Sequence, residues 1–309
     1  MANDLEIEQW KAKGLHINLA KAAGIRVFVR EIGNSSAPSD RTLLLLHGFP
    51  ESSFSYHRVL KGLSEYFERI ILFDFPGYGL SDKPKTGYSY SLLEQADVAL
   101  EVWKYFGITG GHLLAHDMGD SVATELIARE VEKATPEWFT NGFKSYTLTN
   151  GSVILEFAEL RIMQKLLLTN YGKYLSKLSN KRLFRHQIKS AHGNAPLSET
   201  EISRLWEMNI QNSGRTITHL TIKYIFDRKK YESKRWLPAL TETRVPIHIC
   251  WGNKDEVAKV AIAYYLKKNI CTRAQLTIME GVGHFGQIGS PEAWLSSVLS
   301  FFEQLENVN

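Results

Sequence analysis

The feature that most limits the fold of this 309-residue chain is a series of short core-strand runs, each followed by helical spacing. Leu43–Leu46, Ile70–Phe73, His112–Ala115 and Lys144–Leu148 are such runs. Leu43–Leu46 and Ile70–Phe73 are apolar without polar alternation, which suits strands covered on both faces. Between them, Phe54–Phe67 has the apolar spacing of a helix. Ser91 caps a predicted helix that runs to Phe106, and Glu94, three residues later, completes a capping box. Ser121–Val131 is the helix predicted after the third run. Strands alternating with helices predict a parallel sheet with right-handed crossovers. Leu15–Leu19 and Ile25–Glu31 precede them as a hairpin pair, with Gly24 near the turn.

The alternation breaks at Gly151. From there to Leu240 the periodicity is helical, and strand runs return only at Val245–Cys250 and Gln275–Ile278. An amphipathic helix, Glu292–Leu305, closes the chain. The expected architecture is α/β: a mostly parallel eight-stranded sheet built from residues 1–151 and 241–309, interrupted by a helical lid over 152–240. Such a lid would cover the carboxyl ends of the strands, where open α/β sheets place ligands.

Composition excludes several classes. A hydrophobic fraction of 44% and a charged fraction of 23% suit an ordinary globular core. Cys250 and Cys271 are too few for a secreted disulfide framework. No run approaches the length of a membrane span, and the acidic start Met1–Glu8 has no apolar leader segment, so a cytoplasmic protein is the default expectation. The net charge of +4 is weak support for a nucleic-acid partner. Most of the local excess is read at Lys223–Arg235, where Asp227 and Glu232 are interleaved, as expected of a solvated helix face.

Chemistry-bearing residues recur just past the strands. Ala115-His116-Asp117-Met118-Gly119 lies between a strand and a helix and has the small-x-nucleophile-x-small form of a nucleophile elbow, with Asp117 at its centre. The alternative for Asp117 is a helix N-cap. His47-Gly48-Phe49-Pro50 can aim the Phe49 N–H at that elbow, and the Met118 N–H would be the second donor of an oxyanion hole. The Gly- and Pro-rich loop Asp74–Pro84 has a structural role in this reading. Gly252-Asn-Lys-Asp255 and Gly281-Val-Gly283-His284-Phe285 follow later strands, giving the order nucleophile, acid, histidine. Glu256 is a neighbouring alternative to Asp255. His47, Phe49, His116 and Trp206 are candidates for contact with substrate. The remaining histidines show no metal-ligand spacing.

With these motifs in place, the chain resembles the α/β-hydrolase superfamily, and within it the Asp-nucleophile branch of epoxide hydrolases and haloalkane dehalogenases. His116–Asp120, Leu148–Gly151 and Arg228–Leu240 are also similar to mesoderm-specific-transcript-type hydrolases. The resemblance implies an eight-stranded hydrolase core with a cap. It also implies a small hydrophobic substrate, and neither metal nor organic cofactor.

An ionised aspartate needs no base to become a nucleophile. Its attack on a saturated electrophilic carbon gives an alkyl ester, which water activated by His284 would cleave while Asp255 orients the imidazole. Loss of an epoxide oxygen requires a proton donor, and a phenol suits that at neutral pH. Tyr224 occupies a position resembling one ring-opening tyrosine of the family, and Tyr171 or Tyr174 is a candidate for the second. Haloalkane dehalogenases commonly carry Trp after the nucleophile and often Asn after His-Gly; here Met118 and Phe49 stand there. The leading expectation is an epoxide hydrolase-like enzyme. The alternatives are a dehalogenase-like or lactone-cleaving hydrolase, and a hydrolase-fold binding protein with a silent triad.

Overall fold

The computed structural model describes residues 5–20, 24–158 and 160–307. Part of the acidic start, Met1–Asp4, and residues 21–23 of the hairpin connection lie outside the described residues, as does residue 159 of the expected lid. Helix α1 (Leu5–Ala12) leads into β1 (Leu15–Asn18) and β2 (Arg26–Gly33), an antiparallel pair. β3 (Thr42–Leu46), α2 (Leu60–Tyr66), β4 (Arg69–Phe73), α3 (Leu92–Tyr105), β5 (Gly110–His116), α4 (Met118–Val131) and β6 (Gly142–Thr149) follow in alternation. β7 (Ile247–Gly252) and β8 (Gln275–Met279) complete an eight-stranded sheet of order β1-β2-β4-β3-β5-β6-β7-β8. The pairs from β4 through β8 are parallel, while β2 pairs antiparallel with β4.

The apolar runs divide by period two, as a sheet covered on both sides requires. Leu43, Leu45, Ile70 and Leu72 pack with Leu63 and Phe302 on one face. Leu44, Leu46, Ile71 and Phe73 pack with Trp103 and Val122 on the other.

Three local expectations need correction. Phe54–Phe67 is not one helix: a 3-10 turn, Ser53–Tyr56, precedes α2. Ser53 through Tyr56 are all buried, which one face of a helix cannot achieve, and Ser53 is pinned by its N–H and hydroxyl on Asp74 Oδ1. Ser91 does cap α3 through the Glu94 N–H, but the Glu94 carboxylate turns to the Ser89 N–H and hydroxyl, so the reciprocal half of the box is absent. Lys223–Arg235 is not a uniformly solvated face. Lys229 and Lys230 are exposed, whereas Arg228 is 4% exposed and Arg235 is bound to Glu125 and Glu132. Helix α1 went unread because its buried side, Ile7 and Trp10, spans less than one full turn.

Between β6 and β7 the chain makes a helical insertion: α5 (Ile162–Leu167), α6 (Gly172–Lys177), α7 (Lys181–Lys189), α8 (Glu199–Ile210), α9 (Thr218–Thr221), α10 (Tyr224–Tyr231) and α11 (Leu237–Glu242). Its carboxyl-terminal part is fastened to α4 by one buried acid. Glu125 accepts hydrogen bonds from Arg129 Nε at 2.9 Å, Arg235 Nε at 2.9 Å and Trp236 Nε1 at 3.0 Å. Burial opposes its charge, but Arg235, Trp236 and Arg129 outweigh burial and hold the carboxyl below its ordinary 4.5. A depressed value adds stability above the unfolded pKa, and that stability is lost as pH falls through the folded one. Glu125→Gln should therefore lower unfolding stability at neutral pH by about 3 kcal/mol. In urea titrations the gap to wild type should narrow as the medium is acidified below the ordinary carboxylate range.

Candidate active site

The motif residues converge above the carboxyl ends of β3, β5, β6, β7 and β8. Asp117 follows β5 with φ 49° and ψ −109°, in the positive-φ region that β-carbon-bearing residues rarely adopt. Two glycines make the turn possible. A β-carbon on Gly119 would come within 2.7 Å of the Leu46 carbonyl oxygen, and one on Gly48 within 2.7 Å of Asp117 Cβ. The N-cap alternative does not hold, because the Asp117 side chain makes no capping hydrogen bond. Instead Oδ2 accepts the Phe49 N–H at 2.8 Å, and Oδ1 lies 3.9 Å from His284 Nε2. Met118, whose N–H was the other expected donor, is the first residue of α4.

His284 Nδ1 donates to Asp255 Oδ2 at 2.8 Å. Asp255 is held in turn by the Val257 and Ala258 N–H groups on Oδ1 and by Asn150 Nδ2 on Oδ2 at 2.7 Å. Glu256 is exposed, so Asp255 is the acid that meets the imidazole. Burial disfavours a charged His284, yet Asp255, with Asp117 and Glu51, outweighs burial and lifts its pKa to about 9.

Two cavities meet at this point. One of about 180 Å³ is apolar and runs from Phe49 and His284 past Leu167, Leu175 and Phe184. The other, of about 170 Å³, is lined by Asp117, Ser152, Tyr224, Arg228 and Lys229. Gln164 and Val257 border both. Tyr224 is 2% exposed; burial and then Asp117 push its phenol pKa up, with Arg228 opposing. The Arg228 guanidinium stacks 4.7 Å from the centre of the Tyr224 ring and donates through Nε to Ser121 Oγ at 2.8 Å.

Several nominated residues stand elsewhere. Tyr171 and Tyr174 are 72% and 66% exposed on the outside of the insertion and line neither cavity. The short α6 turns them away because its inner side carries Leu175 and Ser176. Trp206 packs against Phe184 at 5.4 Å, in a cluster behind the apolar wall. His47 is fully enclosed: Nε2 accepts the Phe75 N–H at 3.0 Å, so Nδ1 carries the proton and donates to the Gly48 carbonyl. It orients the Phe49 loop and does not reach substrate space. His116 is likewise sealed behind the elbow, donating from Nδ1 to the Thr149 carbonyl. Of the nominated contact residues, Phe49 alone borders either of these two cavities.

Other residues emerge only from the fold. Glu51 is buried beneath the elbow, 3.7 Å from His116 Nε2 and 3.2 Å from Gln287 Nε2. Burial raises its carboxyl to about 8, opposed by the charge of His284 and aided by that of Asp117. Asp120 reaches outside its own helix. Its Oδ1 accepts the Thr149 N–H, and burial drives its pKa far up. Glu51 directly follows the His47–Pro50 motif, and Asn150 directly follows a strand end, which are the signals that could have marked them. Among the described residues no group of three or more His, Cys, Asp or Glu could hold a metal ion. None of their helices is long and apolar enough to cross a membrane.

Residues 41–291 match the family described as alpha/beta hydrolase fold. The chain belongs to the α/β-hydrolase family. It is similar to LipZ of Mycobacterium tuberculosis, with 36% identity over 299 residues covering 95% of this chain and 97% of LipZ. It is 30% identical to the human mesoderm-specific transcript homolog protein over 304 residues, 96% of this chain and 87% of that protein. Among solved structures, haloalkane dehalogenase DbeA from Bradyrhizobium elkani USDA94 superposes with a TM-score of 0.77 at 22% identity, covering 96% and 99% of the two chains. The expected fold and the resemblance to mesoderm-specific-transcript hydrolases therefore stand.

The folded pKa of His284 lies above its ordinary 6.5, so the stability it adds is complete below that value and is lost as pH rises through about 9. Histidine NMR of the free enzyme should show one imidazole titrating near that upper value. In Asp255→Asn it should fall by more than one unit; an unchanged titration would contradict the assigned pairing.

Proposed function

We propose that this α/β-hydrolase works through an alkyl ester on Asp117 and opens epoxides to diols. The observation that carries the reading is the Asp117 carboxylate itself, uncapped at the elbow, with the Phe49 N–H 2.8 Å from one oxygen and His284 Nε2 3.9 Å from the other. A carboxylate attacking a carbonyl would give an anhydride, whereas attack on an sp³ carbon gives a stable ester that must be hydrolysed. The domain division follows from this reading, with 1–151 and 241–309 as the catalytic core and 152–240 as a lid that shields the ester.

The charges suit two successive steps. In the free enzyme His284 is an imidazolium, and Asp117 is the anion beside it. Alkylation removes the Asp117 charge and with it part of what raises the His284 pKa, so the imidazole loses its proton more readily once the ester exists. Neutral His284 then takes a proton from water as that water attacks the ester carbonyl, while Asp255 stabilises the imidazolium formed. The Phe49 N–H, with that of Met118, receives the developing oxyanion; one such donor is worth about 3 kcal/mol.

Ring opening needs a donor for the leaving oxygen. Tyr224 shares a cavity with Asp117, and its raised pKa keeps the phenol protonated at neutral pH. With Tyr171 and Tyr174 outside, Arg228 is the second donor in this reading, since its guanidinium borders the same cavity. The dehalogenase alternative takes support from the name of DbeA, but Met118 and Phe49 offer no side-chain N–H to a halide. A lactone-cleaving or catalytically silent protein would share the geometry without diol formation.

Turnover of an epoxide panel in oxygen-18 water should place label in Asp117 over repeated cycles, and Asp117→Asn should abolish turnover. His284→Gln should accumulate a protein adduct of substrate mass. Tyr224→Phe should slow diol formation about a hundredfold or more. Halide release without diol would transfer the assignment to the dehalogenase reading, and binding without turnover to the silent one.

A further inference from the structure

We propose that the outer face of residues 161–189 docks on an anionic lipid bilayer, so that the apolar cavity opens against the lipid. The segment contains eight Lys or Arg and no Asp or Glu. The whole chain carries only +4, so the remainder is net acidic and this segment is the positive pole of the molecule. Arg185 and Lys189 share Glu199. Among the described residues, no carboxylate lies within ion-pair distance of Lys165, Lys173, Lys177, Lys181 or Arg182, all of which are exposed.

A second, independent observation concerns apolar surface. Ten large hydrophobic side chains are exposed among the described residues, and five of them fall in this one stretch: Ile162, Leu166, Tyr171, Tyr174 and Leu178. Apolar and aromatic side chains interleaved with lysines form the pattern that enters the headgroup boundary of an anionic membrane. A nucleic-acid backbone would answer the charges and leave the isoleucine and leucines in water. A second copy of the chain would set like charges against each other.

The face is continuous with the cavity. Leu178 is 69% exposed, yet it lines the same space as Leu167, Leu175 and His284. α5 and α6 thus put Leu167 and Leu175 inward and Ile162, Leu166, Tyr171 and Tyr174 outward. On the proposed reaction, epoxides dissolved in lipid would reach Asp117 through this mouth without crossing water.

The test is sedimentation of the full chain, without substrate, with vesicles of phosphatidylcholine alone or containing phosphatidylserine. Binding should require phosphatidylserine and weaken as salt rises. Lys173→Gln and Lys177→Gln should each lower partitioning about fivefold, and Tyr171→Ser with Tyr174→Ser should weaken it at every salt concentration. All four side chains are exposed, and the wild-type comparison of the two vesicle types decides the matter even if a variant misfolds. Equal sedimentation with both vesicle types, or none at low salt, would overturn the proposal. So would light scattering that shows a tyrosine-dependent dimer without vesicle binding, or preferential capture of single-stranded RNA. Because no turnover is read, failure of the epoxide assignment would leave this result untouched.

Discussion

A carboxylate held in a strained turn is the constraint from which the rest of the site follows. Asp117 sits at positive φ because Gly48 and Gly119 let two backbones approach where any β-carbon would collide. That conformation lifts its side chain away from the α4 amides that an ordinary cap would seek. The Phe49 N–H and the His284 imidazolium take over the role of solvating it. His47 is the hidden member of this arrangement, since its two ring nitrogens tie the Phe49 loop to the backbone at Phe75.

Around that anion the interior alternates in charge. Asp255 fixes His284, and Asn150 with two backbone amides fixes Asp255. Below the elbow, Glu51 and Asp120 are pushed toward their neutral forms by burial. Were they ionised, three carboxylates would crowd one turn. Keeping those two acids toward neutrality leaves His284 and Arg228 facing Asp117 with fewer competing anions, which suits the proposed chemistry.

The sheet, the elbow and the order aspartate, acid, histidine were legible because each is a local pattern at a strand end. Asp117, Asp255 and His284 each stand within a few residues of a short apolar run. The insertion was less legible because its chemistry depends on how short helices are rotated. α6 and its N-cap carry Tyr171, Tyr174 and Leu175 within five residues, and only packing decides that the leucine faces inward. Arg228 was read as part of a solvated basic stretch, since nothing in its neighbours announces that Ser121, more than one hundred residues earlier, accepts its Nε–H. Glu51 and Asp120 were underread for the opposite reason: a buried acid looks in sequence like any surface acid.

The Glu125 clasp divides the insertion into unequal halves. Arg235 and Trp236 rivet its carboxyl-terminal end to α4, and Arg228 adds a bond to Ser121 one turn from Asp117. α6, by contrast, leans on other insertion residues, as in the contact of Ser176 with Thr216 and His219. One wall of the paired cavities is thus mortared to the Asp117 turn, and the facing wall is a hung panel. Sequence drift in the panel can reshape the room for new guests while the masonry around Asp117 stays true.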